Sequence, residues 1–148
     1  MRKRLLAGLV GAGIWLWAQD PIADIMMGNR GVRTEISGNL IDIDCFAEHG
    51  GFGPEHLECS RFCASRGLPA ALLDGQGRIY LIQGRRHQPL TEVNQPLLDY
   101  VESTVVIHGE LLKRGELRVL VVENIERARK QTPWSEIRAL YEGRGGHE

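Results

Sequence analysis

All three cysteines of the chain, Cys45, Cys59 and Cys63, fall between Asp42 and Gly67, together with His49 and His56, two of its five histidines. The stretch is DIDCFAEHGGFGPEHLECSRFCASRG. Thiolate and imidazole are polarisable donors that favour zinc or copper over hard cations. Pro54 suits a first helical position, because its φ is fixed and it has no N–H to satisfy. Gly67 and Pro69 supply a stop, so the residues between span about three helical turns. At about 100° per residue His56, Cys59 and Cys63 then lie within about 60° of one another on one face. Cys45 ends the preceding apolar run and is expected to meet that face from the end of a strand. Cys45, His56, Cys59 and Cys63 make a tetrahedral ligand set. With four protein ligands a zinc ion there would be structural, and monovalent copper held by two or three thiolates is equally allowed. Asp42, Glu48 and His49 are expected as outer groups around the ligands.

The same cysteines admit two other chemistries. A disulfide from Cys45 to Cys59 or Cys63 would staple the helix to the first strand and leave one thiol, given Cα atoms roughly 4.4–6.8 Å apart. Alternatively Cys59 and Cys63 exchange disulfides or relay electrons, with the positive helix end at Pro54 favouring a thiolate. Cys59 lies in the second turn, where that field is already weak. The spacing lacks the C-x2-C knuckle of zinc fingers and the C-x-x-C-H of c-type haem attachment. No G-x-S-x-G elbow and no phosphate-cradling loop occurs. No catalytic residue is assigned, and a non-enzymatic role is expected. His87 and His108 are isolated and read as surface groups, His147 belongs to the tail, and Met26 and Met27 are ordinary packed or exposed methionines.

The setting of the cysteines depends on the first residues. Arg2, Lys3 and Arg4 precede an uncharged run of 14 residues from Leu5 to Ala18. A membrane span needs about 20 residues, so residues 1–18 read as a signal peptide, with Ala18 before the cleavage point. Trp15 and Trp17 suit the alternative, an uncleaved segment resting at the membrane interface. Export to the periplasm or another extracytoplasmic space follows, and there an odd cysteine count leaves one thiol free or binding something.

The elements that must position the site follow in order. Residues 19–33 read as a leader, with Asp20-Pro21, Gly28-Asn29 and Gly31 as turn signals. Residues 34–45 form a first strand, bent at Gly38. After the cysteine helix, 70–73 and 78–83 flank the hairpin signal DGQG. Residues 84–103 are connection or short helix, with Leu97, Leu98 and Val101 turned inward. Residues 104–112 and 116–125 make a second hairpin, whose second arm LRVLVVENI is apolar on both faces, as in a strand covered from both sides. A last helix starts near Thr132 or Pro133, with Trp134, Ile137, Leu140 and Tyr141 as its apolar stripe. The fold class is mainly β with helices: a small five-stranded antiparallel OB-like barrel over 34–127, a cysteine-bearing helix between strands 1 and 2, and a C-terminal helix and tail over 128–148. That helix is out of place for an OB fold, where the usual helix follows the third strand. A split α+β sheet is the alternative.

A chain of 148 residues supports one compact domain. With 18 basic and 19 acidic side chains the net charge is −1, which gives no electrostatic footprint for a phosphate backbone. Nucleic acid is therefore not an expected partner. A membrane-associated protein complex is one candidate, with Trp134, Leu140 and Tyr141 as a surface for it, although packing of these residues on the chain's own barrel is the commoner outcome. Contact with the membrane itself is expected only through the N-terminal segment.

GNLIDIDCF, GPEHLECSRFC and GLPAALLDGQGRIYLI together resemble a group of small exported bacterial proteins of uncharacterised function. The shared pattern is a glycine, Asp-x-x-Cys, His-x-x-Cys-x3-Cys and a Gly-rich hairpin, matched here by Gly38, Asp42, Cys45, His56, Cys59, Cys63, Gly67, Asp74 and Gly77. The likeness extends over 34–126 and implies an OB-like barrel and the position of a site. It implies no reaction.

Overall fold

The computed structural model describes residues 31–85 and 88–142. The expected signal segment, most of the leader with Met26 and Met27, His87, and the tail with His147 lie outside the described residues. The first strand, β1 (Val32–Asp42), serves two neighbours. It pairs antiparallel with β4 (Ser103–Arg114) from Val32 opposite Leu111 to Leu40 opposite Ser103, and with β2 (Ala70–Leu73) from Asn39 opposite Leu73 to Asp42 opposite Ala70. Gly38 comes just before Asn39 and Leu40, which pair with both neighbours, and the register on β4 runs through it unbroken. A Cβ there would come within 2.6 Å of the Leu73 carbonyl oxygen, so the close backbone approach requires glycine.

The β2–β3 hairpin turns on DGQG as expected, and β3 covers Ile79–Gln83. Asp74 Oδ1 accepts the N–H groups of Gln76 and Arg78, each at 2.9 Å, and Gly77 takes φ +76°. Next come α3 (Leu90–Asn94) and a 3-10 turn, Gln95–Leu97. This connection is long enough to cross the end of the barrel, so β4 does not return beside β3. Instead β5 (Leu117–Arg127), the second arm of the last hairpin, reaches β3 running in the same direction, with Leu81 opposite Val119. The order closes as β1-β2-β3-β5-β4. This is the expected small OB-like barrel, mixed rather than wholly antiparallel because of the β3–β5 pair. Its closure removes the split-sheet alternative. The chain has the usual OB helix after strand 3 as well as the cysteine helices after strand 1.

One face of the strands fills the barrel with Leu40, Leu72, Tyr80, Ile82, Val105, Ile107 and Leu120, closed by Leu97 and Val101 from the connection. Covering of β5 on both faces is confined to Leu120 and Val121; Leu117 is half-exposed because the β4–β5 ribbon runs past the barrel at its turn. The opposite face of β1 and β2 carries Ile41, Ala71 and Leu73, and α4 (Trp134–Glu142) lies on it through fully buried Ile137. Trp134 packs on Phe52 with centroids 5.6 Å apart, and Tyr141 meets Phe46 edge-on at 5.0 Å. The apolar stripe thus packs on the chain's own barrel and on the residues around the cysteines.

Candidate metal centre

The turn out of β1 is made by Asp42. Its Oδ1 accepts the N–H of Asp44 at 2.9 Å and lies 3.4 Å from that of Cys45, which makes it the N-cap of a short helix, α1 (Ile43–His49). Cys45 therefore stands on a helix, not at the end of a strand. Gly50, at φ +67°, closes α1, and the N–H groups of Gly50 and Gly51 bond back to the carbonyls of Phe46 and Cys45, both at 3.0 Å. An aspartate followed eight residues later by a left-handed glycine is a start–stop signal; the alternation of Ile41, Ile43 and Cys45 hid it.

Pro54 begins the next helical segment as expected, but as a 3-10 turn, Pro54–His56, ahead of α2 (Leu57–Ser65). The face of α2 opposite the solvent carries Ser60 and Ala64, both buried. Ser60 Oγ donates to Glu102 Oε1 at 2.6 Å, and the Gly53 N–H donates to Glu102 Oε2 at 2.7 Å. Asn94 Nδ2 donates to the carbonyls of Ala64 and Leu68 at 2.9 and 2.8 Å. Two buried polar residues from the connection between β3 and β4 thus fix the rotation of α2. Glu102 itself is held at φ +55°. Burial raises its carboxyl above the ordinary carboxylate range, while the bonds from Ser60 and Gly53 act the other way. Sequence reasoning missed Glu102; the only signal was an acidic residue between the inward-turned Val101 and the start of an apolar strand.

This rotation carries Cys59 and Cys63 toward Cys45. Cys45 Sγ lies 3.4 Å from Cys59 Sγ, all three sulfurs lie within 4.8 Å of one another, and all three thiols are free. For comparison, two sulfurs on a tetrahedral zinc are about 3.8 Å apart when each bond is about 2.3 Å. Cys45 is buried, Cys63 half-buried and Cys59 exposed, so the group opens to solvent on the Cys59 side. Cys45, His49 and His56 form a second group within the same limit. The four expected ligands thus divide, with His56 meeting Cys45 from one side and Cys59 and Cys63 from the other. His49, expected as an outer group, has donor reach of its own. Gly51 makes room for the imidazole: a Cβ there would lie 2.6 Å from His56 Cε1. Glu48 is exposed and belongs to neither donor group among the described residues.

Asp42 is 4% exposed, and its Oδ2 has no hydrogen-bond partner. Burial, contact with the Cys59 thiol and the Asp42 charge together push the Cys45 thiol up to about 12. Burial and then the Asp42 carboxylate push Cys63 up to about 12 as well. Cys45 and Cys63, desolvated beside a carboxylate, hold their protons until a cation replaces them, because the cation reverses the local electrostatics. The residues therefore fit a soft or borderline metal ion: three sulfurs and a histidine lie close enough to hold one. His108, between Glu35 and Glu126 at 3.6 and 3.7 Å, lies on the barrel surface away from this centre. In comparisons with protein-family models, curated proteins and solved structures, none matches this chain.

Proposed function

We propose that the chain is an exported OB-like protein that binds zinc or copper through Cys45, Cys59 and Cys63 with histidine completing the site, and that its role is metal handling. The observation that carries this is the convergence of three free sulfurs from two separate helices, within 4.8 Å of one another. Thiolate and imidazole select zinc and copper among common metals. Handling is favoured over a purely structural role because α2 already has protein anchors in Glu102 and Asn94. Exposed Cys59 also leaves the centre reachable from solvent, as exchange requires. Export is supported by the basic start and short apolar run of residues 1–18.

Elemental analysis of the protein expressed with its N-terminal segment, secreted and gently purified, tests the proposal. About one equivalent of zinc or copper or more is expected, and less than about a tenth of an equivalent would count against it. The 3.4 Å approach of Cys45 to Cys59 favours one competing reading, a disulfide between them. Its formation would pass two electrons and two protons to a thiol oxidant of the exported compartment and leave Cys63 free. A thiol count separates the two readings. A metal centre yields three thiols on chelation without reductant, whereas a Cys45–Cys59 disulfide yields only one.

A further inference from the structure

The donors number five rather than four, and they form two groups that share only Cys45: Cys45, Cys59 and Cys63, and Cys45, His49 and His56. We propose that the cluster holds two adjacent metal positions bridged by Cys45 Sγ, one of three sulfurs and one of a sulfur and two imidazoles, and that the pair is built for monovalent copper. This rests on the metal-binding reading above and adds a second position to it.

The second group is positioned by the backbone. His49 ends α1 at the left-handed cap of Gly50, and the missing side chain of Gly51 is what lets the His56 ring lie against the chain. The two rings stand with centroids 5.9 Å apart and planes at 46°, so they are not stacked on each other.

Coordination number and charge distinguish the metals. Zinc takes four ligands, so two zinc ions would each find three donors and lack one, whereas a single zinc ion at the three sulfurs needs only one ligand more. Monovalent copper is satisfied by three soft donors, and five donors with one shared make two such sets. Three thiolates with one monovalent copper leave two uncompensated negative charges beside buried Asp42. A second copper reduces that to one, the same balance that a single divalent zinc achieves. Buried charge left unpaired is costly, so copper should load in pairs and zinc singly.

The test is a titration of the reduced full chain without oxygen, first with monovalent copper against a chromogenic copper chelator, then with zinc against a zinc chelator. Two equivalents of copper and one of zinc are expected to be retained. His49→Asn, at an exposed residue, is expected to bring copper to one equivalent and to leave zinc at one; His56→Gln should do the same to copper. A single copper in the wild type, unchanged by His49→Asn, would overturn the second position while leaving the sulfur site in place. Two coppers that persist in both histidine variants would overturn the assignment of the imidazoles. Retention of neither metal would remove the underlying reading as well.

Discussion

Asp42 and Asp74 are two aspartates in the same structural role, and they differ in one respect. Both are 4% exposed, and both use Oδ1 to accept backbone N–H groups where a strand ends, Asp42 at the end of β1 and Asp74 after β2. At Asp74 the second oxygen is also engaged, by the Arg78 guanidinium at 2.7 Å and the Tyr80 hydroxyl at 3.1 Å. At Asp42 it has no partner and lies among thiols. Buried polar groups are normally satisfied. The fully bonded aspartate completes its turn, and the other leaves an acceptor beside thiols that lie close enough to hold a metal ion.

Removal of the shared sulfur is the harshest test of that contrast. Cys45→Ser should weaken metal binding by more than about 100-fold, since it takes a ligand from both donor groups, and competition with a chelator reads the loss directly. Asp42→Asn keeps the oxygen that caps α1 but removes the charge beside the sulfurs. It should lower metal affinity by about 10–100-fold with little change in folding stability, and equal affinity in the variant would break the comparison.

Asp74→Asn should behave in the reverse way, costing about 1–3 kcal/mol in urea unfolding with metal affinity untouched. The pH dependence sharpens this further. Burial alone would raise the Asp74 carboxyl, but the bonds from Arg78, Gln76 and Tyr80 outweigh it and hold the group below the ordinary range. The unfolded chain then binds more protons at acid pH, so the contribution is fully present above an unfolded value of about 3.9 and fades as pH falls through the lower folded value. The stability gap between wild type and Asp74→Asn should therefore close in acid.

Glu102 has the opposite sign and the smallest effect. Its raised folded value means that stability declines as pH rises from about 4.3 through that value. Glu102→Gln retains acceptors for Gly53 and a partner for Ser60, so stability at neutral pH should change by no more than about 1 kcal/mol and the decline should vanish. A variant that unfolds instead would show that the ionised carboxylate itself is needed to hold α2.

The likeness and the difference between these sites were legible to different degrees. The DGQG turn and the helical face of Cys59 and Cys63 are set by residues close in sequence, and each stands where its local pattern put it. Cys45 on α1 was misplaced because an alternating Ile-x-Ile-x-Cys run satisfies a strand period, and the Asp42 cap that overrides it acts through a single side-chain oxygen. The parallel β3–β5 pair was missed because it depends on the path of the long connection after β3.

From the sequence alone came the kind of chemistry, since donor type and helical spacing are local properties of the chain. Which donors meet was decided by the tertiary structure. The rotation of α2 is set by Glu102 and Asn94, and the place of α1 by the pairing of β1 with β4, with partners 30 or more residues away in the chain. Contacts of that separation follow from barrel closure, which no window of neighbouring residues encodes.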